Sequence, residues 1–219
     1  MLALHYFPGN ASLVPHILLH ELQVPFELRL VDRAQNAQKS PAYLKLNPNG
    51  AIPVLEDGAL VLYETAAICL HLVDTHAAAG LAPALGTSER AHFYKWIAWL
   101  TNTLQANLIL YFYPERLVDP GNESGAAQVR HHVQVRIGGL LDQLDRHLAS
   151  HGQPWMMGAA YSALDPYAFV LCRWTRGFSG AASGPARERA HLGPYLQRML
   201  ARPGVQRALA AEKLPEPWV

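Results

Sequence analysis

The chain has 219 residues, half of them hydrophobic and 16% charged, and 18 basic against 17 acidic side chains leave a net charge of +1. That length suits one large domain or two small ones, with apolar residues enough for a sizeable core, which excludes a disordered chain. A balance so close to neutral argues against nucleic acid or another polyanion as partner.

Residues 2–7 (LALHYF) read as a buried strand, and FPGNASLVPH, from Phe7 to His16, as a strand end, a tight turn and a helix start. Such a turn aims backbone N–H groups and short polar side chains at whatever lies above it. It holds Asn10 and Ser12 but no cysteine and no acid. From Ser12 to Val24 apolar residues recur at helical spacing, with Pro15 in the first turn and Pro25 as the stop. Residues 26–31 (FELRLV) alternate as a strand does, completing strand, helix, strand. A polar segment with an NPNG turn follows. Residues 53–56 and 59–62 then flank Asp57-Gly58, a hairpin signal. YETAAICLHLVDTHA is helical and runs into AAGLAPALG, an Ala/Gly/Pro linker over 79–86. Beyond it everything reads as helix: about 87–112 with Trp96 and Trp99, 126–149, 163–177 and two short helices. Composition thus shifts near residue 80 from α/β to all-α, giving an expected domain over 1–78 and a second over 87–219.

Several motifs have a structural and a functional reading. Proline at the first residue of a strand is ordinary, but a cis Ile52-Pro53 bond would turn the Ile52 N–H and C=O outward, to pair with an extended peptide. In YETAAI, Glu64 and Thr65 begin a helix as an acid in the first turn, or as a clamp for the carboxylate and ammonium of an amino acid. SALD, Ser162 to Asp165, is a capping box with Tyr161 before it as a hydrophobic staple. Tyr111, Phe112 and Tyr113 are core or pocket wall, and Asn102 and Gln105 share one helix face. His16 and His20 are four apart, yet no acid or cysteine cluster joins them, and no metal site is expected. Cys69 and Cys172 lie far apart in apolar runs and read as buried thiols. With no charged opening segment and no membrane-length apolar run, a cytoplasmic location is the default.

Taken together, FPGNASLVPHILL, KSPAYLKLNPNGAIPVLEDG, YETAAICLHLVD, the SALD box and PGVQRAL resemble the cytosolic glutathione S-transferases of bacterial type, over nearly the whole chain. The resemblance implies a thioredoxin-like N-terminal domain, an all-helical C-terminal domain and a homodimer. It also implies a transferase that takes glutathione as co-substrate with a small hydrophobic electrophile, with glutathione peroxidase activity as a further possibility. Under it, Ile52 with Pro53 would hold the cysteinyl backbone, Glu64 and Thr65 the γ-glutamyl group, and Lys39 and Asn49 the glycine end. Ser12 and Asn10 would sit at the sulfur. Leu13, Gln105, Tyr111 and Tyr113 would wall the electrophile pocket. Beta-like members read PGACSL, whereas Ala11 stands here in the cysteine's place, so no mixed disulfide can form there. A binding protein without turnover on the same fold is the alternative.

The turn need not supply a nucleophile, because glutathione brings its own sulfur. A free thiol has a pKa of about 8.5, so the task is to stabilise the thiolate. A hydroxyl or amide N–H donating to sulfur, beside a helix N-terminus, favours the anion. One such charge-assisted bond is enough to lower the pKa by about one unit, roughly 1.4 kcal/mol.

Overall fold

The computed structural model describes residues 1–179 and 182–219. Contacts divide the chain into two compact units, Met1–Pro83 with Leu200–Pro215, and Ala84–Met199 with Glu216–Val219.

The first unit is a thioredoxin-like layer of sheet and helix. Its strands are β1 (Leu2–Tyr6), β2 (Phe26–Leu30), β3 (Val54–Asp57) and β4 (Leu60–Tyr63), in the order β2-β1-β3-β4. β1 pairs parallel with β2 and antiparallel with β3, and β3 antiparallel with β4. The hairpin turn falls on Gly58-Ala59 rather than Asp57-Gly58, because Asp57 still pairs with Leu60 and Gly58 takes φ +60°. Helix α1 (Leu13–Leu22) makes the crossover, α2 (Pro41–Leu44) is one short turn, and α3 (Thr65–Thr75) follows β4.

Alternation sorts the strand residues. Leu2, Leu4 and Leu55 are buried, whereas His5, Arg29 and Glu56 meet across three strands on the opposite face. Glu56 accepts from His5 Nε2 at 2.6 Å and from Arg29 at 2.7 Å, and these bonds hold its carboxyl below the usual range. Val31, Tyr43 and Val54 form a small second core, with Ile52 and Tyr63 packed on it.

Composition alone assigns every residue from 87 onward to one helical domain; the fold instead returns 200–215 to the first unit. Helix α9 (Pro203–Ala211) buries Val205, Ala208 and Leu209 and packs against α1, which explains why Leu13 to Leu19 are all buried.

That unit is helical: α4 (Ser88–Trp99), a π-helical segment (Leu100–Gln105), α5 (Ala106–Phe112), α6 (Glu123–His151), α7 (Leu164–Trp174) and α8 (Leu192–Leu200, its last residue in the first unit). All of α7 is buried, as its apolar sequence requires. The capping box is present in modified form. Ser162 Oγ accepts from Leu164 N–H at 3.3 Å, and Asp165 accepts from the Ser162 N–H at 2.8 Å. Asp165 also receives the Met156 N–H and the Tyr195 hydroxyl, so it ties the preceding loop and α8 to the helix start. Tyr161 packs edge-on against Trp155. Cys69 and Cys172 are buried free thiols, each pushed up to about 12 by desolvation.

Candidate functional site

Strand direction gathers the proposed glutathione residues at one end of the sheet. Tyr6 ends β1 and opens the turn 7–12. Val54 pairs with His5 and with Tyr63, so the start of β3, just after Ile52-Pro53, and the end of β4, just before Glu64, lie beside it. Parallel β2 ends there too and leads into the loop carrying Lys39. Ligands of open α/β sheets gather at this carboxyl end of the parallel strands.

Within the turn, Ser12 is fully buried. Its Oγ accepts from the Phe7 N–H and donates to the Phe7 carbonyl, both at 3.2 Å. The hydroxyl therefore closes the turn and is not presented to a ligand, which corrects the role expected from sequence. The amides of Leu13 and Val14 are taken by Asn10 and Ala11 carbonyls, and the Ala11 N–H by Asn10 Oδ1 at 2.6 Å. Among the described residues no acceptor is found for the Ser12 N–H. With its Oδ1 engaged, Asn10 keeps an amide NH2 to donate. Desolvation, and then the Glu212 charge, raise the pKa of Tyr6, the last residue of β1.

Sequence reasoning missed what holds this turn. Glu212, just beyond α9, has a fully buried side chain. One carboxylate oxygen accepts from the Gly9 N–H at 2.7 Å and the other meets His16 Nδ1 at 2.8 Å. The partners are about two hundred positions apart in the chain, and no local pattern marks a lone glutamate near a C-terminus as the anchor of an N-terminal turn.

A second device shapes the loop before β3. Asn47 Nδ2 and the Tyr43 hydroxyl both donate to the Ala51 carbonyl, at 2.8 and 2.9 Å, and Asn47 Oδ1 accepts from Asn49 N–H. Ile52-Pro53 is cis, and no partner is found for the Ile52 N–H or C=O among the described residues. Lys39 Nζ donates to the Asn49 carbonyl at 3.3 Å and lies over Gly50, where a Cβ would sit 2.7 Å from it. Lys39 and Asn49 are therefore neighbours.

Glu64 takes φ +71° and ψ +117° at the start of α3, a conformation a side-chain-bearing residue rarely adopts, and its carboxylate makes no capping bond. Thr65 is 6% exposed, yet no partner is found for its hydroxyl among the described residues. A threonine hydroxyl with no protein partner thus stands at the N-terminus of α3, beside a carboxylate held by strained backbone.

Leu13 is fully buried and belongs to the core, so it offers no wall to a pocket; the uninterrupted apolar face of α1 is the reason. In the second unit, Gln105 ends the π-helical segment, and its Oε1 accepts from the buried Tyr167 hydroxyl at 2.5 Å. Tyr111 packs on Phe178 with ring centroids 4.4 Å apart, and Arg116 lies over the Tyr113 ring at 4.0 Å.

A thioredoxin-like unit with a four-stranded sheet, followed by a helical unit, defines the class: the glutathione S-transferase fold. Residues 11–75 match the family model described as "Glutathione S-transferase, N-terminal domain". A curated glutathione S-transferase of Xanthomonas campestris pv. campestris is 34% identical, with 94% of this chain and 97% of the relative covered. Among solved structures, a sphingomonad glutathione S-transferase complexed with glutathione is 30% identical (TM-score 0.80; 97% of this chain, 100% of the other). A glutathione transferase homologue from Sulfitobacter with bound glutathione is 25% identical (TM-score 0.86; 98% and 99%). The chain belongs to the glutathione S-transferase family, close to its bacterial beta-class members.

Proposed function

We propose that this chain binds glutathione at the strand ends of its first unit and activates the thiol for attack on a small hydrophobic electrophile. Ile52 pairs with the cysteinyl backbone, Glu64 and Thr65 hold the γ-glutamyl group, and Lys39 with Asn49 meets the glycine carboxylate. The observation that carries this reading is Glu64, whose backbone strain is otherwise uncompensated and whose carboxylate is left free to take an ammonium.

The sulfur is stabilised as thiolate by the Asn10 amide and the Ser12 main-chain N–H, not by the Ser12 hydroxyl. Both are neutral donors to an anion beside a helix N-terminus, so they favour the thiolate over the thiol. Attack then forms a carbon–sulfur bond as the leaving group departs with its electron pair. Gln105, Tyr111 and Tyr113 are assigned to the electrophile on the strength of the family resemblance. Isothermal titration with glutathione, followed by conjugation of 1-chloro-2,4-dinitrobenzene, tests the proposal. Absence of saturable glutathione binding overturns it.

The occupied Ser12 hydroxyl also favours a second reading, binding without turnover. Tight glutathione binding with no conjugation or peroxide reduction across a panel of electrophiles would select it.

A further inference from the structure

The sequence holds a single Asn-Gly pair, Asn49-Gly50, in the turn that precedes Ile52-Pro53. Asparagine is among the chemically labile residues. Asn49 is exposed, and its carboxamide has no hydrogen-bond partner among the described residues. Its main chain alone is engaged: the N–H donates to Asn47 Oδ1 at 3.0 Å, and the carbonyl accepts from Lys39 Nζ at 3.3 Å. The free carboxamide carbon can therefore swing onto the nitrogen of Gly50, which carries no side chain to crowd the approach.

Lys39 acts on that nitrogen from the other side. A carbonyl that accepts from an ammonium draws electron density out of its peptide group, so the attached Gly50 N–H becomes more acidic. The ammonium is also close, because a Cβ on Gly50 would lie 2.7 Å from Nζ. A cation there stabilises the negative charge that develops on nitrogen as its proton leaves. One contact opposes the reaction. The Gly50 N–H donates to the Asn47 carbonyl at 2.9 Å and closes the turn. Opening one such bond slows attack about fivefold, which restrains the reaction without preventing it.

We propose that Asn49 is a site of spontaneous deamidation, accelerated by Lys39, and that the modification weakens the glycine end of the glutathione site. The Gly50 nitrogen, its proton lost to solvent, attacks Asn49 Cγ and forms a C–N bond. Ammonia departs with the electron pair of the carboxamide C–N bond, taking a proton from water. A second water opens the resulting succinimide at either carbonyl, leaving aspartate or isoaspartate. The product sets a carboxylate within reach of Lys39, so it competes with the glycine carboxylate of glutathione for one ammonium. That consequence rests on the function proposed above; the deamidation does not.

The test incubates the full chain at mildly alkaline pH without glutathione and follows the tryptic peptide 46–90 by mass. The expected result is a first-order gain of about one mass unit at Asn49, ahead of every other asparagine. Lys39→Gln should slow the gain about threefold, the worth of one exposed charge contact, and Lys39→Arg should restore it. A loop merely loosened by the substitution would react faster, since opening the turn frees the Gly50 N–H. Asn49→Asp should bind glutathione about tenfold more weakly than the parent chain in calorimetry. Conversion at Asn49 no faster than at the other asparagines overturns the site. An unchanged or faster rate in Lys39→Gln overturns the role of Lys39, and parental affinity in Asn49→Asp overturns the consequence. A parent chain that binds no glutathione overturns the proposed function and this consequence with it, while the mass measurement still judges the site.

Discussion

Replacing Glu212 by alanine removes the acceptor for two donors at once, one of them fully buried. Fully buried His16 Nδ1 and the half-buried Gly9 N–H each lose a bond to a carboxylate, at 2.8 and 2.7 Å. Breaking a buried pair by deleting one partner costs about 3–5 kcal/mol. The double variant His16→Leu with Glu212→Leu removes both ends of the pair and fills the space with hydrocarbon. Its remaining cost is the lost Gly9 N–H bond to Glu212, at roughly 1–3 kcal/mol. The double variant should therefore be more stable than the single one, an ordering that additive losses cannot produce. All five tryptophans lie in the second unit, so a probe within the first unit is needed. Amide hydrogen exchange along α1, read against urea, reports it directly. Protection in α1 falling by less than about 1 kcal/mol in Glu212→Ala, or a double variant weaker than the single, would refute the clamp.

Three further outcomes follow from the geometry. Asn10→Ala should raise the pKa of bound glutathione by about one unit, followed by thiolate ultraviolet absorbance, and lower kcat about tenfold; Ser12→Ala should leave that pKa in place and cost on the order of 1 kcal/mol of stability. Glu64→Gly relieves the φ +71° backbone and should raise Tm while weakening glutathione binding; a lower Tm would show that no strain is stored there. His20 titrates near 4 in the fold against about 6.5 unfolded, so the unfolded chain binds more protons between those values. Stability should accordingly fall as pH drops from 6.5 towards 4, and His20→Gln should flatten part of that slope in urea midpoints at pH 7 and pH 5.

Local signals carried much of the architecture. The period of two in FELRL, the period of 3.6 in α1 and the prolines that stop each run are properties of neighbours, and neighbours are what a sequence displays. The capping residues before α7 and the boundary positions of Ile52, Glu64 and Thr65 were legible for the same reason, each sitting where one element meets the next.

Other features were settled only by folding. Whether the Ser12 hydroxyl faces a ligand or its own turn depends on where the Phe7 main chain lies, and it lies within 3.2 Å. Leu13 became core once α9 returned to cover α1, and Glu212 came to anchor Gly9 by the same return. Chain-distant partners leave no periodic trace in the residues between them, and a hydroxyl's bond is chosen by three-dimensional proximity. The sequence by itself determined which elements form and what chemistry they carry; which donors remain free for a ligand was decided by the packing that used up the rest.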